Sequence, residues 1–208
     1  MRKIFYIAFF ILISVSCNAK SSPSTEENSE EDIKRVEFLQ LKAKADSALL
    51  YCKEKKMSTD YCILIDLSKH SGKNRMFVWN FKTDTIHDSS LCCHGAGLGS
   101  SPTKPIFSNE VGSNCSSLGK YKVGGRYPSS WGTKFGYKLH GLEKTNNNAY
   151  SRYVTMHSHS PVPPYEIYPR HLPMGYSFGC TIPSDKFLLR LDTLIKQQKK
   201  PLLLWVYI

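Results

Sequence analysis

The chain has 208 residues, 41% of them hydrophobic and 12% aromatic, with a net charge of +11. That length supports one domain with a substantial core but not comfortably two, and the composition excludes a wholly disordered chain. The charge is unevenly spread: the first 20 residues carry +3 and the next 12 carry −5, which leaves +13 on residues 33–208. A basic body attracts anionic partners at long range.

Arg2 and Lys3 precede an apolar run from Ile4 to Ile13, followed by small residues. This is the pattern of a secretory signal over residues 1–19. The run is shorter than the ~20 residues that span a membrane. Two processing routes are open. Cys17-Asn18-Ala19 ends in a small residue suited to ordinary cleavage. Ser14-Val15-Ser16-Cys17 resembles a loose lipobox, which would end the signal at residue 16 and place lipid on Cys17. Either route takes the chain out of the cytoplasm, to the periplasm or to a membrane anchor. There an anionic wall polymer or membrane surface is a more natural partner than nucleic acid. Residues 20–32 are Ser-rich and acidic without a large apolar residue, and read as a disordered tether.

The folded part begins with a helix. Ile33, Val36, Leu39, Ala43 and Leu50 lie near helical spacing, which predicts a helix over 33–58 with that face inward. Strands are expected at Tyr61–Leu67, Arg75–Phe81 and Thr85–His94, the first two as a hairpin around Ser71-Gly72-Lys73-Asn74. Gly95 to Gly125 reads as loop. Gly136–His140 and Tyr153–His157 read as strands. Residues 160–173 hold five prolines and read as an extended loop. Ser184 is the expected N-cap of a helix from Asp185 to about Gln198, and Leu202–Ile208 a final buried strand. Many short strands and few helices predict a mainly β fold, a sandwich or barrel, with one helix in front and a short one near the end.

An oxidising compartment permits disulfides. The expected pairs are Cys52 with Cys62, and Cys115 with Cys92 or Cys93; buried free thiols are the alternative. No Cys-x-x-Cys occurs, so a zinc ribbon or thioredoxin-type site is not indicated.

The chemistry concentrates in two places. Ser177-Phe178-Gly179-Cys180 puts a thiol on a glycine turn, just before a helix whose N-terminus would favour the thiolate. Met156-His157-Ser158 puts a histidine at the end of an apolar strand. A thiol needs a base to become a nucleophile, and histidine is the usual one. His94, His140, His159 and His171 are further candidates. No histidine follows Cys180, so the papain-like order of cysteine before histidine is excluded. His157 and His159 fall on one face if the strand continues, but no carboxylate pair nearby completes a metal site.

From Gly95 to the end, the chain resembles an L,D-transpeptidase catalytic domain of the YkuD type, in particular the murein L,D-transpeptidase subgroup. The matching pieces run in one order. They are Phe107-Ser108-Asn109, Ser113, Ser117-Leu118-Gly119-Lys120-Tyr121, Gly141-Leu142-Glu143 with Asn146, Ala149 and Arg152, then Met156-His157-Ser158 and Ser177-Phe178-Gly179-Cys180. With the flanking strands, the resemblance covers about residues 60–208. Phe178 stands where the commoner family pattern has histidine; the subgroup usually has an aromatic there. The resemblance implies Cys180 as nucleophile, His157 as base and the Ser158 carbonyl as holder of the other imidazole nitrogen. It implies Gly179 and Cys180 N–H groups as an oxyanion hole, with Ser177 bonding within the turn. Arg152 and Asn146 would brace a loop or meet substrate, and His159 would line the substrate site. Implied too is a monomeric enzyme that needs no cofactor and acts on peptidoglycan stem peptides to form 3→3 cross-links. The alternatives are an L,D-carboxypeptidase on the same site and a non-catalytic wall-binding module. The proline loop, long between His157 and Cys180, would cover the cleft.

Overall fold

The computed structural model of the protein describes residues 25–208. The expectations on the signal sequence and on Cys17 lie outside the described residues. Among the described residues no helix is long and apolar enough to cross a membrane. The chain clusters into two units, residues 1–38 and 39–208.

Among the described residues, seven strands form one sheet in the order β3-β2-β1-β7-β4-β5-β6. They are β1 (Tyr61–Asp66), β2 (Met76–Asn80), β3 (Thr85–Ser90), β4 (Gly119–Pro128), β5 (Phe135–Gly141), β6 (Thr155–His157) and β7 (Leu203–Tyr207). Helix α1 (Thr25–Glu54) precedes them, and α2 (Asp185–Gln197) lies between β6 and β7. Only β1 and β7 pair in parallel; the other neighbours are antiparallel. The mainly β architecture with an N-terminal helix and a helix after Cys180 is as expected.

The central strands are buried on both faces, and alternation sorts their side chains. Ile63, Ile65, Met76, Val78, Leu204 and Val206 pack with Phe187, Leu188 and Leu191 of α2. Cys62, Leu64, Phe77, Trp79 and Leu203 pack on the opposite side with Leu41, Ala45, Ala48 and Cys52 of α1. Two covered faces leave no polar alternation, which is why β1 and β7 read as unbroken apolar runs. Helix α2 starts where expected: the Ser184 hydroxyl accepts the Phe187 N–H, and Asp185 sits in the first turn.

Several expectations need correction. Helix α1 begins at Thr25, inside the stretch read as a disordered tether. The helix buries a different face from the expected one. Ile33, Val36, Leu39, Ala43 and Leu50 are exposed, while the set 41, 45, 48 and 52 is inward. Small alanines let the helix approach the sheet closely, whereas large apolar residues had marked the wrong side. Strand β4 lies in part inside the segment read as loop. Its lysines and Gly124-Gly125 hide the strand signal, and the register with β5 shifts between Val123 and Arg126. β3 stops at Ser90 rather than His94. The six described cysteines are all free thiols, so neither expected disulfide is present.

The two leucines on opposite sides of α1 offer a direct check. Leu41 is 6% exposed and Leu39 is 53% exposed. Leu41→Ala is expected to cost about 2–4 kcal/mol in urea unfolding, and Leu39→Ala less than about 0.5 kcal/mol.

Candidate active site

The turn that carries Cys180 is built by its neighbours. Gly179 has φ +110, in the left-handed region, and a β-carbon there would stand 2.7 Å from the Cys115 carbonyl oxygen. Only glycine fits that approach. The Ser177 hydroxyl donates to the Cys180 carbonyl (2.7 Å) and accepts the Gly179 N–H (3.1 Å), which closes the turn. The Gly179 N–H is thus committed to Ser177, unlike the oxyanion role expected for it. The Cys180 N–H makes no hydrogen bond among the described residues, so it is the free donor of the turn.

After the turn the chain becomes an extended segment between two neighbours. Thr181 N–H donates to the Thr155 carbonyl (3.0 Å), His157 N–H donates to the Thr181 carbonyl (3.3 Å), and Cys93 N–H donates to the Ile182 carbonyl (3.0 Å). Cys180 therefore stands beside Thr155, with His157 two residues further along β6. Thr155 and His157 share one face of the strand, and Met156 points the other way into the core. From Cys180, His157 lies one strand spacing across and two residues along, about 8 Å between α-carbons.

Cys180 is half-buried. Its sulfur lies 3.5 Å from the Thr155 N–H nitrogen, 3.6 Å from Thr155 Oγ1 and 3.8 Å from the Tyr153 carbonyl oxygen. Thr155 Oγ1 in turn lies 2.8 Å from the Tyr127 hydroxyl. No hydrogen bond joins Cys180 to His157 among the described residues. Catalytic hydrogen bonds often tighten only when substrate is bound. Nor is the start of α2 among the groups that touch the thiol, contrary to the expected helix-dipole effect.

His157 is buried, and its Nδ1 lies 3.0 Å from the Ser158 carbonyl oxygen. A carbonyl only accepts, so Nδ1 carries the proton and Nε2 keeps its lone pair. Burial holds the imidazole below its ordinary pKa, which favours the neutral form a base requires. Ser158 is itself pinned: its hydroxyl accepts the Thr133 N–H (3.0 Å) and donates to Thr133 Oγ1 (3.2 Å). Gly132 has φ +48, and a β-carbon there would meet Ser158 Oγ at 2.3 Å and the Ser158 carbonyl oxygen at 2.6 Å.

The residues expected to brace a loop or to meet substrate divide. Arg152 is occupied: its guanidinium donates to the Ser108 carbonyl (2.9 Å), the Ser117 hydroxyl, the Ser113 hydroxyl (3.1 Å) and the Cys115 carbonyl (2.7 Å). It braces the same Cys115 carbonyl against which Gly179 lies. Asn146 is fully buried, donates to the Lys120 carbonyl and accepts the Glu143 N–H. Both are structural braces. His159 has left the strand, which ends at His157, and its ring meets Trp131 and Tyr176 edge-on. Alternation therefore does not pair it with His157.

The other histidines have separate duties. His171 lies 2.9 Å from the Ser71 hydroxyl, stacks on His70, and ties the proline loop to the β1–β2 turn. Gly72 reinforces that tie by accepting the Ile167 and Tyr168 N–H groups. The loop is thus clamped along this turn, and its Val162 and Leu172 belong to the apolar cluster against which Cys180 packs. His140 stacks on Tyr150. His94 is buried; Arg75 Nη2 donates to its Nδ1 (2.9 Å), and its Nε2 donates to the Ser101 carbonyl (3.0 Å).

Residues 33–207 match the L,D-transpeptidase catalytic domain family, and the chain belongs to that family. A search of curated proteins found no match. Solved structures similar to the chain include a single-site variant of the helical cell shape determining protein Pgp2 from Campylobacter jejuni. It is 11% identical, with TM-score 0.44, over 71% of this chain and 47% of that one. An L,D-transpeptidase from Xylanimonas cellulosilytica is 12% identical, with TM-score 0.39, over 71% of this chain and 60% of that one. Bd1075 of Bdellovibrio bacteriovorus is 16% identical, with TM-score 0.41, over 73% and 49%. The chain thus aligns with about half the length of most of these structures, and membership rests on the family match.

Thr155, Tyr153, Tyr127 and Gly132 were missed from the sequence. Thr155 had a signal, since it lies two residues before His157 on one strand face. Tyr127 and Gly132 had none, because they reach the site from the hairpin between β4 and β5.

Burial and Arg75 push the His94 pKa down to about 4 from 6.5. The unfolded chain takes up the proton first, so stability is complete above about pH 6.5 and is lost as pH falls toward 4. Urea unfolding of the wild type is expected to weaken by roughly 3 kcal/mol across that window. His94→Asn is expected to flatten the slope.

Proposed function

We propose that the protein is a peptidoglycan L,D-transpeptidase that forms 3→3 cross-links through a thioester on Cys180. One observation carries this reading: the Cys180 turn is hydrogen-bonded in register to β6, whose same face bears His157 with Nδ1 committed to the Ser158 carbonyl. Membership of the L,D-transpeptidase family supports it. The basic body, +13 over residues 33–208, supports an anionic wall polymer as partner.

The steps follow from the groups present. His157 Nε2 takes the Cys180 proton, and the thiolate attacks the carbonyl carbon of the third residue of a stem tetrapeptide. The Thr155 N–H donates to the sulfur (3.5 Å) and holds it beside β6. The Cys180 N–H is available to the oxyanion of the tetrahedral intermediate. The carbon–nitrogen bond then breaks, and the terminal D-alanine leaves with the proton from imidazolium. The side-chain amine of a second stem attacks the thioester, its proton passes to His157, and the thiolate departs and is reprotonated. We further infer that a secretory signal in residues 1–19 delivers the enzyme to the periplasm, with Cys17 a lipid anchor if the lipobox is used.

Purified protein given stem tetrapeptide is expected to release D-alanine and accumulate a 3→3 dimer. Cys180→Ala and His157→Ala are each expected to lower the rate by a factor of about 1,000 or more. D-alanine release without dimer would leave a carboxypeptidase. Full activity of Cys180→Ala would end the proposal.

A further inference from the structure

Beside the thiol is a cavity of about 200 Å³ lined by Lys138, Tyr150, Tyr153, Val154 and Thr155. It is smaller than the roughly 300–1,000 Å³ of a drug-sized site, and suits a single small residue. Thr155 forms part of its lining and also touches the Cys180 sulfur. Lys138 and Thr155 are register partners across β5 and β6. Tyr153 is 82% exposed and has φ 55, a left-handed conformation that a bulky residue rarely adopts. That conformation leaves its carbonyl 3.8 Å from the sulfur.

The charge of the cavity is one-sided. Lys138 makes no salt bridge among the described residues, whereas Lys120, Arg126, Arg190 and Lys196 each pair with a carboxylate. The Lys138 Nζ lies 5.3 Å from the centre of the Tyr150 ring, and His140 stacks on the same ring. Among the described residues, no acidic side chain lines the cavity. An ammonium group would find no counter-charge there, and a carboxylate would find Lys138.

We propose that this cavity binds the free carboxylate of the residue that leaves, the terminal D-alanine of the donor peptide, with Lys138 as its counter-ion and the two tyrosines against its methyl group. This deepens the transpeptidase reading and rests on it. The terminal carboxylate lies three bonds from the scissile carbonyl carbon, so it must sit within about 4–5 Å of the carbon that the sulfur attacks. A cavity that shares Thr155 with the sulfur is at that reach. The same site would favour a peptide ending at the residue after the scissile bond over a longer one, because a longer peptide has an amide where Lys138 seeks a charge.

The test is calorimetric titration of the Cys180→Ala protein with synthetic stem tetrapeptide, as the free acid and as the C-terminal carboxamide. The acid is expected to bind roughly fivefold to tenfold tighter. Adding Lys138→Gln is expected to bring the ratio close to one, and Lys138→Arg to restore most of it. An unchanged ratio in Lys138→Gln, equal affinities in the parent, or no binding of either peptide would overturn the proposal. Failure of the transpeptidase reading shows separately: acid-over-amide discrimination through Lys138 would persist while the wild type released no D-alanine.

Discussion

Two hydrogen bonds decide where the thiol stands. Thr181 donates to the Thr155 carbonyl, and His157 donates to the Thr181 carbonyl. Through them a segment distant in sequence is set in register against β6, the last strand of the sheet. A shift by one residue would send the side chain of Cys180 to the opposite face, among Met156 and the core. Everything else at the site serves that register. Gly179 lets the turn lie against Cys115, Ser177 closes it, and Arg152 holds the Cys115 carbonyl from the other side.

The sheet makes this register dependable. Its central strands are packed between α1 and α2, so they cannot slide without exposing apolar surface on two sides. β6 is short and at the edge, yet it is held by β5 on one side and by the Cys180 segment on the other. An edge strand that would otherwise offer unpaired groups is closed by the very segment that carries the thiol. Fold and chemistry thus share the same hydrogen bonds.

The sequence was most legible where one residue type has one physical use. Gly179 before Cys180, Ser184 before α2, and the apolar runs of β1 and β7 each point to a single local structure. The pairing of His157 with the Ser158 carbonyl came from the family resemblance and would not follow from spacing. Legibility failed where function depends on partners distant in sequence. Sequence leaves Arg152 and Asn146 between bracing a loop and meeting substrate, and only the four acceptors of Arg152 and the complete burial of Asn146 decide for bracing. The face of α1 was misread because exposed leucines outweighed small buried alanines. β4 was missed because the pairing of a lysine- and glycine-rich strand is set by β5 and β7, not by its own propensity.

The central claim is that Cys180 is a nucleophile activated by His157. Its most direct test is the intact mass of the purified protein after incubation with a carbapenem, a β-lactam acyl donor, for wild type, Cys180→Ala and His157→Ala. The account predicts one acyl adduct on the wild type, none on Cys180→Ala, and greatly slowed acylation of His157→Ala. An adduct that survives in Cys180→Ala, or a folded and reduced wild type that takes none, would contradict it.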